Sequence, residues 1–181
     1  MRQEIKIQSN NFAPASPKET TLFGASRPGY WSGNSKYVEE AIVREWIDFM
    51  KKRSIERVCC LLNEDQLIYY SGGLLRQYRD SFGASNVLHA PVGDGQAIPK
   101  EQLFDEIFPF IVQAEKDGKR IVVHCSAGMG RTGLVLFAWL VKYREMDPDM
   151  ALKTLTSLGR NPLEAFGWSG TGTMIAQNLG L

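Results

Sequence analysis

The stretch HCSAGMGRTG at residues 124–133 places a cysteine and an arginine six positions apart. Four of the five residues between them are small: Ser126, Ala127, Gly128 and Gly130. Small residues let the backbone curl so that successive N–H groups point inward, and such a nest binds anions at the positive end of a helix. Cys125 would lie at the foot of this nest, where the helix end and a guanidinium favour the thiolate. The stretch predicts a site that binds an oxyanion and attacks it.

Arg131 and Thr132 supply further groups that this chemistry needs. The planar guanidinium of Arg131 can hold two oxygens of a phosphoryl group at once, which a lysine cannot imitate. The hydroxyl of Thr132 would lie near the sulfur, and His124 can hold the loop by a side-chain hydrogen bond. The alternative is a glycine-rich turn between a strand and a helix that happens to contain a thiol. The combination of thiol, arginine, glycines and helix start favours the catalytic interpretation.

A proton donor for a departing alcohol is predicted in the loop PVGDGQAIP at residues 91–99. Asp94 stands there between two glycines, which suit a loop that closes over a substrate. It follows a predicted strand that could neighbour the strand of Cys125, so both residues would face the same edge of a sheet. A turn-forming aspartate in a Gly-Asp-Gly bend is the competing interpretation. Asp80 and Asp105, on predicted helices, are poorer candidates for the acid.

A sheet is needed to position these residues. Short apolar runs predict strands at residues 21–26, 57–62, 85–92 and 120–124, with a further short strand at 4–8. The strands alternate with helices, which indicates an α/β fold: a single layered domain with a central, mostly parallel sheet of about five strands flanked by helices. In such sheets ligands bind beyond the carboxyl ends of strands, and the turn that follows residue 124 is such a place.

Helical periodicity predicts the flanking elements. The predicted helices cover residues 36–53, with Ser35 as a candidate cap, 100–119, 132–146 and 147–159, the last opened by Asp147 and Pro148. Pro109 would bend the second helix or mark its break. Residues 65–83 are interrupted by Gly72 and Gly73, so one kinked helix and two short helices are equally compatible with the pattern. Residues 1–20 are predicted to form an irregular N-terminal arm.

Composition and charge exclude several classes of protein. The 181 residues are 44% hydrophobic and 23% charged, which is typical of one globular domain. The formal net charge of +1 comes from basic and acidic residues spread along the chain, so no nucleic-acid partner is expected. No apolar run approaches the roughly 18–20 residues that span a bilayer, so no membrane association is expected. The N-terminus lacks the pattern of a secretory signal, which predicts a cytoplasmic protein.

The three cysteines are predicted to be reduced, because an odd number with two adjacent makes neither a disulfide framework nor a zinc site. Cys59 and Cys60 lie in a predicted buried strand, where a core role is favoured over a redox role toward Cys125. His89 is interpreted as a structural histidine, with orientation of Asp94 as the alternative. The sequence predicts no metal site and no cofactor.

The pattern HC-x5-RTG at residues 124–133, with the upstream Asp94 loop, resembles the cysteine-dependent protein tyrosine phosphatase superfamily, and specifically its small dual-specificity phosphatases. HCSAGMGRTG is similar to that family's signature at every defining position. DGQAIP at residues 94–99 resembles the acid loop of the mitotic-exit branch, with one extra residue before the proline. The resemblance extends more loosely over residues 21–162, and residues 21–181 are interpreted as the catalytic domain.

The resemblance implies a metal-free, two-step hydrolysis of phosphotyrosine, and of phosphoserine or phosphothreonine, in proteins or peptides. Cys125 would attack phosphorus, while Arg131 and the amides of residues 126–131 hold the phosphoryl oxygens, or those of phosphate, sulfate or vanadate. Asp94 would protonate the leaving group and later deprotonate water, and Thr132 would assist departure of the thiolate. The phosphate-binding residues would be Ser126, Ala127, Gly128, Met129, Gly130 and Arg131.

Two features depart from the family pattern. Members often carry a glutamine after an Arg-x-x-Pro turn, whereas this chain has GRNPLEAFGWSGTGTM at residues 159–174 and a glutamine only at Gln177. This leaves the positioning of the attacking water unassigned. No phosphotyrosine-clamping segment is evident, which favours a shallower pocket that also accepts phosphoserine and phosphothreonine. Tyr30 and Trp31 could line the rim of this pocket or pack its loop.

Other functions are compatible with the same loop. The substrate could be a phosphoinositide, an RNA 5′ phosphate or a small metabolite, although highly charged headgroups favour lysines that this loop lacks. A catalytically silent phosphate-binding module would result if Asp94 did not reach the pocket. A nucleophilic cysteine could also serve sulfur transfer or arsenate reduction, and neither reaction needs Asp94.

Overall fold

The computed structural model describes residues 9–30, 37–167 and 169–181, which build one five-stranded sheet covered on both faces by helices. The strands are β1 (Ala13–Pro14), β2 (Leu22–Ser26), β3 (Ile55–Cys60), β4 (Val87–His89) and β5 (Arg120–Cys125). They stand in the order β1-β2-β5-β3-β4, in which β1 runs antiparallel to β2 and all other neighbours are parallel. The predicted α/β fold with a mostly parallel sheet of about five strands is confirmed.

The described residues contain seven α-helices: α1 (Glu40–Lys51), α2 (Glu64–Leu67), α3 (Leu74–Phe82), α4 (Phe108–Lys116), α5 (Gly130–Tyr143), α6 (Pro148–Ser157) and α7 (Gly172–Leu179). Helices α1 and α3 pack on one face of the sheet, and α4 to α7 build the larger core on the other. Helix α5 is buried over most of its length. Among the described residues, no helix combines the length and apolar character needed to cross a membrane.

Two ambiguous helix predictions are resolved. Residues 65–83 contain two short helices: α2 ends at Leu67, and α3 begins directly after Gly72 and Gly73, whose φ of +75° a continuous helix cannot contain. Pro109 marks a break: the preceding segment Gln102–Ile107 is π-helical, and α4 begins at Phe108. Proline has no N–H to donate to the preceding turn, so the regular α-helical ladder is interrupted there.

The other predictions concern helix and strand ends. The predicted cap of α6 is confirmed, because Asp147 Oδ1 accepts from the N–H of Met150 at 3.0 Å. The predicted strand at residues 4–8 and the predicted cap Ser35 lie outside the described residues. Strand β1 was not predicted; it pairs with β2 although it falls within the predicted N-terminal arm. The boundary between arm and domain at residue 20 stays a prediction.

The parallel strands end at one edge of the sheet, where β5 lies between β2 and β3. Cys125 pairs with Ser26 of β2, and His124 pairs with Cys60 of β3. Side chains alternate along β5, so Val123 and Cys125 face the core of α5. His124 instead faces the layer of α1 and α3. The loop after β5 therefore begins with a thiol on one face and an imidazole on the other.

Candidate active site

A cavity of about 210 Å³ opens at the carboxyl edge of the parallel strands. Its walls include six residues that the sequence assigned to a site: Asp94, Cys125, Ser126, Ala127, Gly130 and Arg131. Further lining residues are Tyr30, Gly95, Glu164 and Ala165. The structure therefore brings the thiol, the guanidinium and the carboxylate together in one pocket, although they come from two separate loops.

The carbonyl groups of the loop after Cys125 are held by donors from other segments. The backbone N–H of Arg27 donates to Ser126 O at 2.9 Å, and Asn11 Nδ2 donates to Ala127 O at 3.0 Å. A trans peptide places each carbonyl opposite the N–H of the next residue, so the N–H groups of residues 127 and 128 turn away from these donors. Neither N–H donates to an acceptor within the described part of the chain.

Arg160 holds the next carbonyl and is itself 2% exposed. Its Nη1 donates to Gly128 O, and its Nη2 donates to Asn11 O at 2.7 Å and Gly24 O at 2.8 Å. Burial lowers the pKa of Arg160 to about 10, although a negative charge on the nearby Cys125 sulfur acts in the opposite direction. The guanidinium therefore remains a cation at neutral pH and fixes the underside of the loop.

Cys125 is the last residue of β5 and is 3% exposed. Gly128, with φ +75°, turns the chain close to β2, because a Cβ there would lie 2.4 Å from Ala25 O. Only glycine fits this position. Helix α5 begins at Gly130, so its positive end faces the loop. Unpaired N–H groups beside a helix end are the arrangement that binds anions in other proteins, and the cup that they form here lies above the thiol.

Arg131 lies in the first turn of α5 and is 3% exposed. Its Nη1 donates to Val92 O at 2.8 Å and to Gln66 Oε1 at 3.1 Å. Its Nη2 donates to Asp94 Oδ1 at 2.6 Å. The bonds from Nη1 fix the plane of the guanidinium, and Nη2 is the nitrogen that meets the cavity-lining carboxylate.

Asp94 lies on the loop after β4, and its side chain is 71% exposed. The adjacent Gly95 has φ +69° and open space around its α-carbon, so the loop is not packed in place there. The Asp94 carboxylate binds Nη2 of Arg131, and the sequence assigned this guanidinium to phosphoryl oxygens. A more strongly bound anion at Arg131 can therefore displace Asp94 without breaking buried packing.

His124 does not line the cavity. The pKa of His124 is lowered to about 4, mainly by burial. The hydrogen bond to Cys125 O acts against this shift, and the positive charges of Arg131 and Arg27 add to it. The ring is therefore neutral at pH 7. Its Nδ1 lies 3.2 Å from Cys125 O and its Nε2 lies 3.1 Å from the hydroxyl of Tyr78. Because a carbonyl only accepts, Nδ1–H is the donor and the Tyr78 hydroxyl donates to Nε2. His124 thus holds the end of β5.

Three other predicted phosphate-binding or catalytic residues, Gly128, Met129 and Thr132, are not part of the cavity wall. Thr132 Oγ1 is buried and has no hydrogen-bond partner within the described residues.

His89 Nε2 lies 2.8 Å from Leu62 O, which agrees with its interpretation as a structural histidine. Tyr30 lines the rim as considered above, whereas Trp31 lies outside the described residues.

Cys59 and Cys60 are fully buried in β3, as the core interpretation predicts. Burial raises the pKa of Cys59 well above its usual range and that of Cys60 to about 12, so both remain thiols. Within the described ranges, no three His, Cys, Asp or Glu side chains are grouped as a metal site would require.

Four residues that shape the pocket were not singled out in the sequence: Arg27, Gln66, Arg160 and Glu164. Arg27 directly follows β2 and Gln66 lies shortly after β3, so the rule that ligands bind beyond strand ends could have marked both. Arg160 and Glu164 come from the turn after α6, where the sequence drew attention only to a missing glutamine.

Replacing Arg160 should disturb both the loop and the fold. In Arg160→Met, two buried carbonyls and one part-buried carbonyl lose their charged donor, and we expect the free energy of unfolding to fall by about 3 kcal/mol. Inhibition by inorganic phosphate should weaken as the loop loosens. Denaturant unfolding and phosphate titration measure both effects, with the exposed Arg79→Met as the control. Unchanged phosphate affinity in a folded Arg160→Met would contradict the positioning role.

Comparison with known proteins identifies the family to which this chain belongs. The family model for the dual specificity phosphatase catalytic domain matches residues 47–171. A dual specificity protein phosphatase of Vaccinia virus is 30% identical over 64 residues, which are 35% of this chain. The match covers only 37% of the viral protein's own length.

Solved structures that share the fold include the following two. Tk-PTP in its active form gives a TM-score of 0.63 at 23% identity, covering 89% of this chain and 92% of Tk-PTP. PTPMT1 in complex with PI(5)P gives 0.64 at 11% identity, covering 93% of this chain and 96% of PTPMT1. The family model covers more than half of the chain and includes both loops of the pocket. The chain therefore belongs to the small dual specificity phosphatases of the cysteine-dependent protein tyrosine phosphatase superfamily.

Proposed function

We propose that this chain hydrolyses phosphomonoesters in proteins, acting on phosphotyrosine and on phosphoserine or phosphothreonine through a phosphocysteine intermediate, without a metal ion. One observation carries the proposal: Cys125, Arg131 and Asp94 line a single cavity at the end of β5. The phosphorylated protein is the partner, and phosphate, sulfate or vanadate would bind the same cup. A cytoplasmic location is part of the proposal, because a reducing compartment keeps Cys125 a free thiol.

In the first step, Cys125 Sγ attacks phosphorus and the bond to the leaving oxygen breaks. Amides of residues 126–131 and the free nitrogens of Arg131 hold the three non-bridging oxygens. The oxygen that binds Nη2 takes the place of Asp94. Released from the guanidinium, the Asp94 carboxylate binds a proton from solvent and passes it to the leaving oxygen. The alcohol departs and phosphocysteine remains.

In the second step, a water oxygen attacks phosphorus, Asp94 accepts a proton from that water, and the sulfur–phosphorus bond breaks. Inorganic phosphate leaves and Cys125 returns as a thiolate. Thr132, whose buried hydroxyl has no partner in the described part of the chain, is free to donate to the departing sulfur. His124 acts as a positioning residue, because it contacts the carbonyl of Cys125 and not the cavity.

Hydrolysis of an aryl phosphate, measured with and without a metal chelator, tests the reaction class. We expect turnover that survives the chelator, inhibition by vanadate, and phosphate release from both phosphotyrosine and phosphoserine peptides. Tight binding of these peptides without turnover would instead identify a silent binding module. Loss of turnover on chelation would contradict the metal-free mechanism.

Asp94→Asn should separate binding from proton transfer. The variant cannot protonate the leaving group, so kcat on a phosphotyrosine peptide should fall about 100-fold. Inorganic phosphate should bind more tightly, since the carboxylate that competes for Arg131 Nη2 is gone. An aryl phosphate with an acidic leaving group should lose less, because its departure needs less protonation.

Asp80→Asn is the control for this prediction, because Asp80 is an exposed carboxylate on α3 that was a rival candidate for the acid. It should leave both kcat and phosphate affinity unchanged. Equal losses for peptide and aryl phosphate in Asp94→Asn would show that Asp94 is not the general acid.

A phosphoinositide is the second substrate class to assay, because the structural neighbour PTPMT1 was solved in complex with PI(5)P. At 11% identity, the likeness to PTPMT1 shows only that the two proteins share a fold. The charged lining residues beside Cys125 are one arginine and two carboxylates, Asp94 and Glu164. This charge pattern favours a substrate with a single phosphate over a more highly charged headgroup.

A further inference from the structure

A second carboxylate stands on the cavity wall beside the candidate acid. Glu164 lies in the 3₁₀ turn Pro162–Phe166 and lines the same cavity as Asp94 and Cys125. Its side chain passes over the start of α5, where a Cβ on Gly130 would lie 3.3 Å from Glu164 Cβ and 3.4 Å from its Cδ. The carboxylate is therefore held at the rim of the loop that is proposed to bind phosphate.

The turn that carries Glu164 is fixed to this loop. Pro162 and Ala165 are buried, and the N–H of Asn161 donates to Met129 O at 3.4 Å. A Cβ on Gly133 would lie 3.2 Å from the backbone nitrogen of Pro162, so the turn and α5 are in close contact. Such packing keeps Glu164 at the rim whether or not substrate is bound.

Unlike Asp94, Glu164 has no ion-pair partner within the described residues, and it is exposed. Arg131 is the one basic residue among the cavity-lining residues, and its Nη1 is already bonded to Val92 O and Gln66 Oε1. When a phosphoryl group is bound to Arg131, no cavity-lining residue supplies a positive charge to balance the carboxylate of Glu164 at the cavity rim. A substrate that brings its own cation supplies the missing charge.

We infer, on the basis of the proposed function, that Glu164 is a specificity-determining residue that recognises an arginine or lysine side chain next to the phosphorylated residue of a protein substrate. The carboxylate would accept hydrogen bonds from the guanidinium or ammonium group while the phosphoryl group enters the cup. An acidic residue at the same place in the substrate would be repelled.

Three phosphotyrosine peptides that differ only in the residues flanking phosphotyrosine test this inference. With arginine, alanine or glutamate at both flanks, we expect kcat/KM of the wild-type protein to fall about tenfold at each step, the scale of a partly screened charge pair. In Glu164→Gln the three values should lie within about threefold of one another. In Glu164→Arg the order should reverse. High salt should weaken the wild-type preference.

Two controls separate recognition from a structural or chemical role. The ratio of kcat/KM for the arginine peptide to kcat/KM for an aryl phosphate, which has no flanking residues, should fall in Glu164→Gln. Glu45→Gln, an exposed carboxylate on α1 that does not line the cavity, should keep the full preference for arginine. An equal loss on every substrate in Glu164→Gln would overturn the inference, because it would indicate a role in the chemistry or in the fold.

The outcomes distinguish this inference from the proposed function. If the wild-type protein hydrolyses all three peptides at equal rates, the inference fails and the proposed function stands. If it hydrolyses none of them while PI(5)P in vesicles is a substrate, the proposed function fails. A wild-type preference for arginine that is lost in Glu164→Gln supports both.

Discussion

Cys125→Ser should abolish turnover, lowering kcat by more than about 10⁴-fold on any phosphomonoester. A serine hydroxyl at this place is a far weaker nucleophile than a thiolate. His124 cannot activate it as a base, because its ring faces the opposite side of β5 and is bonded to Cys125 O and the Tyr78 hydroxyl. The cup itself should survive, because its carbonyls are held by Arg27, Asn11 and Arg160. Phosphate and vanadate should therefore still bind.

Steady-state kinetics and phosphate titration by calorimetry measure these two effects. Mass spectrometry of rapidly quenched wild-type protein should find one phosphoryl group on Cys125, and Cys125→Ser should show none. Cys59→Ala is the control, because Cys59 is a buried thiol on the neighbouring strand that contacts no substrate in the proposed mechanism. Rates like those of the wild type in Cys125→Ser would refute covalent catalysis by this residue.

The fold was predictable where one local pattern decides the structure. Strands β2, β3 and β5 are short apolar runs, and the cap at Asp147 is a local signal, so each was identified. Strand β1 has two residues, one of them a proline, and it is a strand only because it pairs with the free edge of β2. Such pairing depends on tertiary contacts that no local window contains.

The site was predictable for a similar reason. The cup is built from one continuous loop, so its residue types and spacing are visible in the sequence. The bond between Asp94 and Arg131 was not, because it depends on how two distant loops meet. The orientation of His124 toward α1 and α3 follows from alternation along β5, which the sequence pattern already contained. Arg160 requires the fold itself, since its three acceptors come from three separate segments.

Arg131→Lys should lower kcat/KM by about 10³-fold, a loss on the scale of a missing oxyanion donor. The guanidinium has two tasks in the proposed mechanism: Nη1 anchors to Val92 O and Gln66 Oε1, and the remaining nitrogens would hold the phosphoryl oxygens. An ammonium group is a single point with no planar fork, so it cannot perform both tasks at once. Retained charge would preserve part of the phosphate affinity, and kcat should fall more than affinity because orientation is lost.

Aryl phosphate kinetics and phosphate inhibition measure the two quantities in Arg131→Lys, with the exposed Arg79→Lys as the matched control that should change neither. A loss below about tenfold would mean that positive charge alone suffices and that the fork is dispensable. A 10³-fold loss in kcat/KM, with phosphate still bound, would locate the contribution of Arg131 in the geometry of its nitrogens, because lysine supplies the same charge from nearly the same place.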